Sequence, residues 1–181
     1  MGNCFDKDQE HRIPLGDRVD PAPLKSSESL IIFVVGGPGV GKSTLCKKLM
    51  TKYGLILVWV SNILREEVAT DSERGQLFKA IMERGENVPA EVIVQLVVRK
   101  MLQYPHAYGY LIVGFPRDKK QAVLFNTEVR SPNLLLNLYA RRGAIAPNKN
   151  VTKVIDAETT VDEVYREACR IIDELVKKSK R

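Results

Sequence analysis

Nine consecutive residues, Gly36-Gly37-Pro38-Gly39-Val40-Gly41-Lys42-Ser43-Thr44, carry the types and the spacing that chemistry on a phosphate group requires. Glycines let several backbone N–H groups converge on phosphate oxygens, and a helix starting at the end of the loop points its positive N-terminus at the same place. Lys42 adds a mobile cation for the outer phosphates, and the Ser43 hydroxyl is a candidate ligand for Mg²⁺. The residues from Gly37 to Thr44 therefore read as an ATP or ADP site, with Mg²⁺ arriving on the nucleotide. A turn that merely connects two elements would not need Lys42 and Ser43 at those offsets.

The flanking elements suit this task. The apolar run Leu30–Val35 predicts a buried strand delivering the chain to the loop, and a helical period follows over Lys42–Tyr53;. Further along, short apolar runs alternate with amphipathic stretches, the pattern of a parallel sheet wrapped by helices. Strands are expected at Leu55–Val60, Tyr110–Val113 and Val151–Ile155, with a fifth at Leu134–Leu136. Helices are expected over Ser61–Thr70, Gly75–Arg84, Ala90–Tyr104 and Lys119–Glu128. The last helix opens on a capping box, Thr160-Val-Asp-Glu163, and sets Val161, Val164, Ala168, Ile172 and Leu175 on one core-facing side;. The fold class is α/β, a three-layer α/β/α sandwich around a mostly parallel sheet of about five strands.

With 181 residues, 44% hydrophobic and 28% charged, the chain suits one domain with a real core, expected over residues 29–181 and as a monomer;. The three cysteines have no metal or redox spacing and no secretory signal precedes them, so a reducing, cytoplasmic setting is expected;. A formal charge of +6 fits a protein that handles phosphates, and the basic end Lys177-Lys178-Ser179-Lys180-Arg181 suits the C-terminal dipole of a helix;. Neither calls for nucleic acid as a partner.

Residues 1–28 are polar, contain Pro14, Pro21 and Pro23, and lack apolar periodicity, so they read as an unstructured lead;. Met1-Gly2-Asn3-Cys4 resembles the start of proteins acylated on Gly2, with Cys4 open to palmitoylation, although Asp6 stands where the motif prefers Ser or Thr;. One acyl chain gives marginal residence, and Asp6, Lys7, Asp8, Glu10 and Arg12 supply no basic patch, so peripheral membrane association would depend on Cys4 as well.

The segments IIFVVGGPGVGKSTLCKKL, KYG, ILREEV, ERGQLFKAIMERGENVP and LIVGFPR, with Gln121 four residues after Arg117, together resemble adenylate kinases and their uridylate/cytidylate relatives. The resemblance implies transfer of the γ-phosphoryl group of ATP to a nucleoside monophosphate, AMP first among them. It implies a monophosphate flap over residues 59–89 and a site made of Arg65, Val88, Gly114, Arg117 and Gln121. Arg65 and Arg117 would grip the α-phosphate, Gln121 would read the base, and Lys42 and Arg117 would serve catalysis. Planar guanidinium groups suit the first task, since two can fork onto one phosphate.

Four departures bear on activity. Where the family has Asp-Gly-aromatic-Pro-Arg, this chain has Val113-Gly114-Phe115-Pro116-Arg117, and valine cannot orient the water shell of Mg²⁺;. Trp59 and Val60 replace small polar residues facing the monophosphate base and are expected to fill that pocket. Ser43 replaces the family's usual glycine. Finally, Pro132-Asn-Leu-Leu-Leu136 runs at once into Asn137-Leu-Tyr-Ala-Arg-Arg-Gly143, which resembles the end of the helix before the family's last strand. Neither a lid nor a long crossover helix fits in that connection, leaving residues 134–139 open between strand and helix.

Three function classes follow: a nucleoside-monophosphate kinase of reduced activity, a nucleotide-binding pseudokinase working as a membrane-associated interaction module, and a small GTPase. The sequence weakens the third, because Asn148-Lys149-Asn150 is followed by Val151 rather than completing a guanine-reading Asn-Lys-x-Asp, and no Asp-x-x-Gly stands at the third strand.

Overall fold

A computed structural model describes residues 18–70, 72–139 and 151–179. Five strands, β1 (Leu30–Gly36), β2 (Ile56–Trp59), β3 (Gly109–Val113), β4 (Leu134–Tyr139) and β5 (Thr152–Asp156), form one sheet in the order β2-β3-β1-β4-β5. Every neighbouring pair is parallel. The central strand β1 is buried from Leu30 to Val35, as expected of a strand covered on both faces;.

Strand alternation divides the core in two. Ile31, Phe33, Val58, Tyr110 and Ile112 face one layer, built from α3 (Val60–Val68), α4 (Glu73–Glu83), α5 (Ala90–Leu102) and α6 (Lys119–Glu128). Phe33, Phe115 and Phe125 lock this layer edge-to-face, with ring centroids 5.2–5.5 Å apart;. Ile32, Val34, Leu111, Val113, Leu136 and Leu138 face the other layer, made by α2 (Lys42–Tyr53) and α7 (Val161–Ser179). Each fully buried aliphatic side chain contributes about 1.5–3 kcal/mol.

Several expectations are corrected. Residues 134–139 are strand throughout, in register with β1 from Ile32↔Leu134 to Gly36↔Leu138. Only residues 140–151 then remain to carry the chain from β4 to β5. The described part of the 1–28 lead is ordered: a short helix, α1 (Ala22–Lys25), buries Leu24 to 1% exposure, Val19 N–H donates to Gln95 Oε1, and Arg18 pairs with Glu128. Val161 is 51% exposed, because it stands at the first turn of α7 before the helix meets the sheet. The capping box itself forms: Thr160 Oγ1 accepts from Glu163 N–H, and Glu163 Oε2 accepts from Thr160 N–H;.

Candidate nucleotide site

All strands run in the same direction, so the loop leaving β1 and the turn leaving β3 open side by side at the C-terminal edge of the sheet. Gly39 and Gly41 take φ of 77° and 79°, which a side chain would strain;. Gly41 is also the N-cap of α2, and no side chain caps that helix. Its first N–H groups are therefore left for an anion.

Lys42 folds back over the loop, its Nζ donating to the carbonyls of Gly36 at 3.0 Å and Gly37 at 2.6 Å. Partial burial lowers its pKa from the ordinary lysine value, with Cys46 acting the other way. Burial pushes the Cys46 thiol up to about 12, so the group beneath the loop is neutral and does not compete with a phosphate for the lysine;. Ser43 and Thr44 are exposed on the first turn of α2.

The end of β3 is of a different kind. Val113 stands in register between Val34 of β1 and Trp59 of β2, is wholly buried, and belongs to the cluster of Leu45, Cys46 and Val34. Trp59 packs against the same cluster, on the α2 side of the sheet. Asp118 is committed as the N-cap of α6, its Oδ1 accepting from Gln121 N–H at 2.8 Å. No group of three His, Cys, Asp or Glu side chains among the described residues is arranged to hold a metal. The exposed Ser43 hydroxyl fits an Mg²⁺ carried on the phosphates of a nucleotide;.

A pocket of about 340 Å³ lies between α3, the end of α4, the turn into α5 and the start of α6. Four of the predicted residues line it: Arg65, Val88, Arg117 and Gln121. Arg65 is steadied within its own helix, Nη2 donating to Asn62 Oδ1 at 2.5 Å and Nε to Ser61 O. Gln121 is 3% exposed and its Oε1 accepts from Arg117 N–H at 3.0 Å, which fixes the amide and leaves Nε2 as its uncommitted donor;. The flap around the pocket is fastened by Arg74, which forks onto Glu67 Oε2 through Nε and Nη2 at 2.8 and 2.5 Å, and by Ser72, which caps α4 through Gly75 N–H.

Two expectations change here. Trp59 does not fill the pocket, because alternation sends it to the opposite face of the sheet; Val60 lines the space instead and leaves it open. Gly114, with φ of 76°, turns the chain out of β3 and is not a lining residue. Sequence reasoning missed Ser61 and Leu64, although their spacing to Arg65 places all three on one helical face. It also missed Met82, Glu86 and Asn87; Glu86 brings a carboxylate to the rim, held by Arg84 at 3.0 and 3.1 Å.

The sequence matches the family model for adenylate kinase over residues 34–176. It is 34% identical to adenylate kinase isoenzyme 1 of Gallus gallus over 184 residues, covering 80% of this chain and 95% of that protein. For the Cyprinus carpio isoenzyme 1 the figures are 33% over 190 residues, 83% and 98%. With the Caenorhabditis elegans isoenzyme 1, identity is 42% over 120 residues, 65% of this chain and 57% of that protein. The Gallus gallus match is longer than the roughly 145 residues that 80% of this chain supplies, so that relative carries on the order of 40 positions with no counterpart here.

Proposed function

The chain belongs to the adenylate kinase family, and on that premise we propose that it binds ATP on the phosphate loop and AMP in the adjoining pocket, while transferring phosphate between them slowly. The observation that carries this reading is the contrast at two neighbouring strand ends: a complete loop after β1, and a buried Val113 at the end of β3.

Binding follows from the residues in place. The uncapped first turn of α2 and the Lys42 ammonium receive the β- and γ-phosphates, the lysine exchanging two loop carbonyls for phosphate oxygens;. Arg65 and Arg117 take the monophosphate from two sides of the pocket, and the fixed amide of Gln121 donates to an acceptor on the base;. Magnesium ion, when bound with the nucleotide, offsets charge on the β- and γ-oxygens. Ser43 is its one protein ligand in this reading.

Turnover lacks support. Phosphoryl transfer rests on positioning, water exclusion and cationic stabilisation of the equatorial oxygens, and supplied arginines can be worth ~10³ or more in rate. A connection of residues 140–151 has room for neither a lid nor a long crossover helix, which on this reading leaves the γ-phosphate open to water;. The second reading, a nucleotide-binding pseudokinase that acts as a membrane-associated module, takes the same observation to its limit.

Gly2 and Cys4 lie outside the described residues; we assign them acylation, and with it membrane residence of a monomeric cytoplasmic protein. No helix among the described residues is long and apolar enough to cross a membrane. Gly2→Ala or Cys4→Ser would each release the protein into the soluble fraction of cells, whereas a wild-type protein found only there would refute the assignment. Isothermal titration with ATP and AMP separately tests the two-site reading: heats are expected for both, with ATP affinity lowered in Lys42→Ala and AMP affinity lowered in Arg117→Ala. An AMP affinity left unchanged by both Arg65→Ala and Arg117→Ala would reject the pocket as the monophosphate site.

A further inference from the structure

We propose that the end of the molecule opposite the phosphate loop docks on an anionic lipid bilayer. In an all-parallel sheet every strand begins at this end, and the helices that return the chain to the next strand finish there. The last turns of α2, α5 and α7 bring Lys52, Lys100, Lys177 and Lys178, and α1 ends on Lys25. The ends of α1 and α7 meet directly: Pro23 and Ser26 of the α1 segment, Tyr108 of the loop before β3 and Ser179 at the end of α7 line one open hollow of about 900 Å³.

Charge on this face is unbalanced. Lys52 is held 3.7 Å from Asp173, but Lys25, Lys177 and Lys178 are exposed and form no ion pair among the described residues. Glu28 is the acid in the wall of the hollow. Basic last turns also suit helix dipoles, and that alone would predict nothing further. The aromatic residues are the second observation. Tyr104 and Tyr108 stand 46% and 49% exposed on either side of Pro105 and His106, with their backbone pinned to the rest of the fold. Tyr110 Oη donates to Tyr104 O at 2.6 Å, Ser29 Oγ to Ala107 O at 2.5 Å, and Leu30 N–H to Tyr108 O at 3.0 Å. A pinned loop presenting two amphipathic rings, on the end of the fold that also carries the unpaired lysines, matches the chemistry of a bilayer's headgroup layer. The rings sit at the boundary and the lysines meet lipid phosphates and carboxylates.

Each such lysine strengthens binding to an anionic leaflet by about fivefold, so three give on the order of 100-fold, the basic patch that the sequence near Gly2 does not provide. Docked this way, the loop and the pocket at the opposite sheet edge face away from the lipid and stay open to nucleotide. The inference stands apart from acylation, and the test uses the full chain made without lipid.

Sedimentation with vesicles at ~0.1 M salt is expected to show binding to phosphatidylcholine containing ~30% phosphatidylserine and none to phosphatidylcholine alone. The triple change Lys25→Glu, Lys177→Glu, Lys178→Glu should lower that binding by at least ~30-fold. The charge-matched triple Lys47→Glu, Lys79→Glu, Lys119→Glu, on exposed positions away from this end, should lower it far less. Tyr104→Ser with Tyr108→Ser should weaken it several-fold at unchanged charge. ATP titration checks that every variant is folded. Absence of binding to the anionic vesicles, or an equal loss in the two triple variants, would overturn the proposal, the second outcome reducing it to adhesion by net charge.

Discussion

Lys42 follows the loop that leaves β1 and Val113 ends the neighbouring strand β3, yet the two differ in kind. β1 ends in a loop whose glycines, uncapped helix and mobile ammonium are all suited to a phosphate chain, whereas β3, its hydrogen-bonded neighbour, ends in a side chain sealed among Leu45, Cys46 and Val34. Binding a nucleotide and reacting it draw on different atoms, and we propose that this protein has the first set without the second. The difference also explains why restoring one residue is a poor repair. A carboxylate at position 113 would enter an apolar cluster, and Asp118, the nearest acid in sequence, is already bound to a helix N-terminus.

The sharpest way to break the comparison is Val113→Asp. A charge placed at a fully buried apolar site costs about 3–5 kcal/mol unless it finds a partner. A melting point lowered by roughly 10 °C is expected by calorimetry, with only a minor gain in phosphotransfer. An unchanged melting point would mean that the position opens onto the loop after all.

Next in size is Lys42→Ala, which removes charge-assisted bonds to phosphate and should weaken ATP about 10–100-fold by titration while leaving AMP binding intact. Arg117→Ala should do the reverse, weakening AMP about tenfold with ATP unaffected. Parallel losses for both ligands in either variant would show that the loop and the pocket are not separate sites.

The smallest effect lies far from both regions. Thr160→Ala removes the α7 cap and should lower the melting point by about 2–4 °C without touching nucleotide binding. Bonds from Thr160 hold the Glu163 carboxyl below the usual carboxylate range. That contribution is present above the unfolded carboxylate pKa, 4.5, and is lost as pH falls through the lower folded value;. The difference between wild type and Thr160→Ala should accordingly be full near pH 7 and shrink in acid. A difference that grows in acid would contradict the cap.

Much of this was legible in the sequence, and the reasons for the rest are physical. The loop reads directly because its function is local: nine adjacent residues supply every group. Arg65, Val88, Arg117 and Gln121 come from three separate segments, and only resemblance could join them before the fold brought them around one pocket. The apolar run at 134–139 was ambiguous because a short buried strand and a short buried helix look alike; pairing with β1 decides it;. Leu24 could not be recognised as core, since one apolar residue among prolines carries no period. Trp59 was assigned to the wrong side of the sheet because a single residue of offset reverses the face a strand residue occupies. The lysine and tyrosine face was invisible for the same kind of reason, being assembled from helix ends that are distant in sequence and meet only through parallel topology.

The central claim, nucleotide binding without efficient transfer, is tested most directly by measuring ATP:AMP turnover of the unmodified chain in a coupled assay beside a complete adenylate kinase, at ligand concentrations shown by titration to saturate both sites. The account predicts saturation together with turnover at least ~10²-fold lower than the reference, as expected when charge stabilisation and positioning of the transition state are missing. Turnover in the ordinary kinase range of about 1–100 s⁻¹ would contradict it, and would show that the exposed γ-phosphate site is completed by groups other than those at the end of β3.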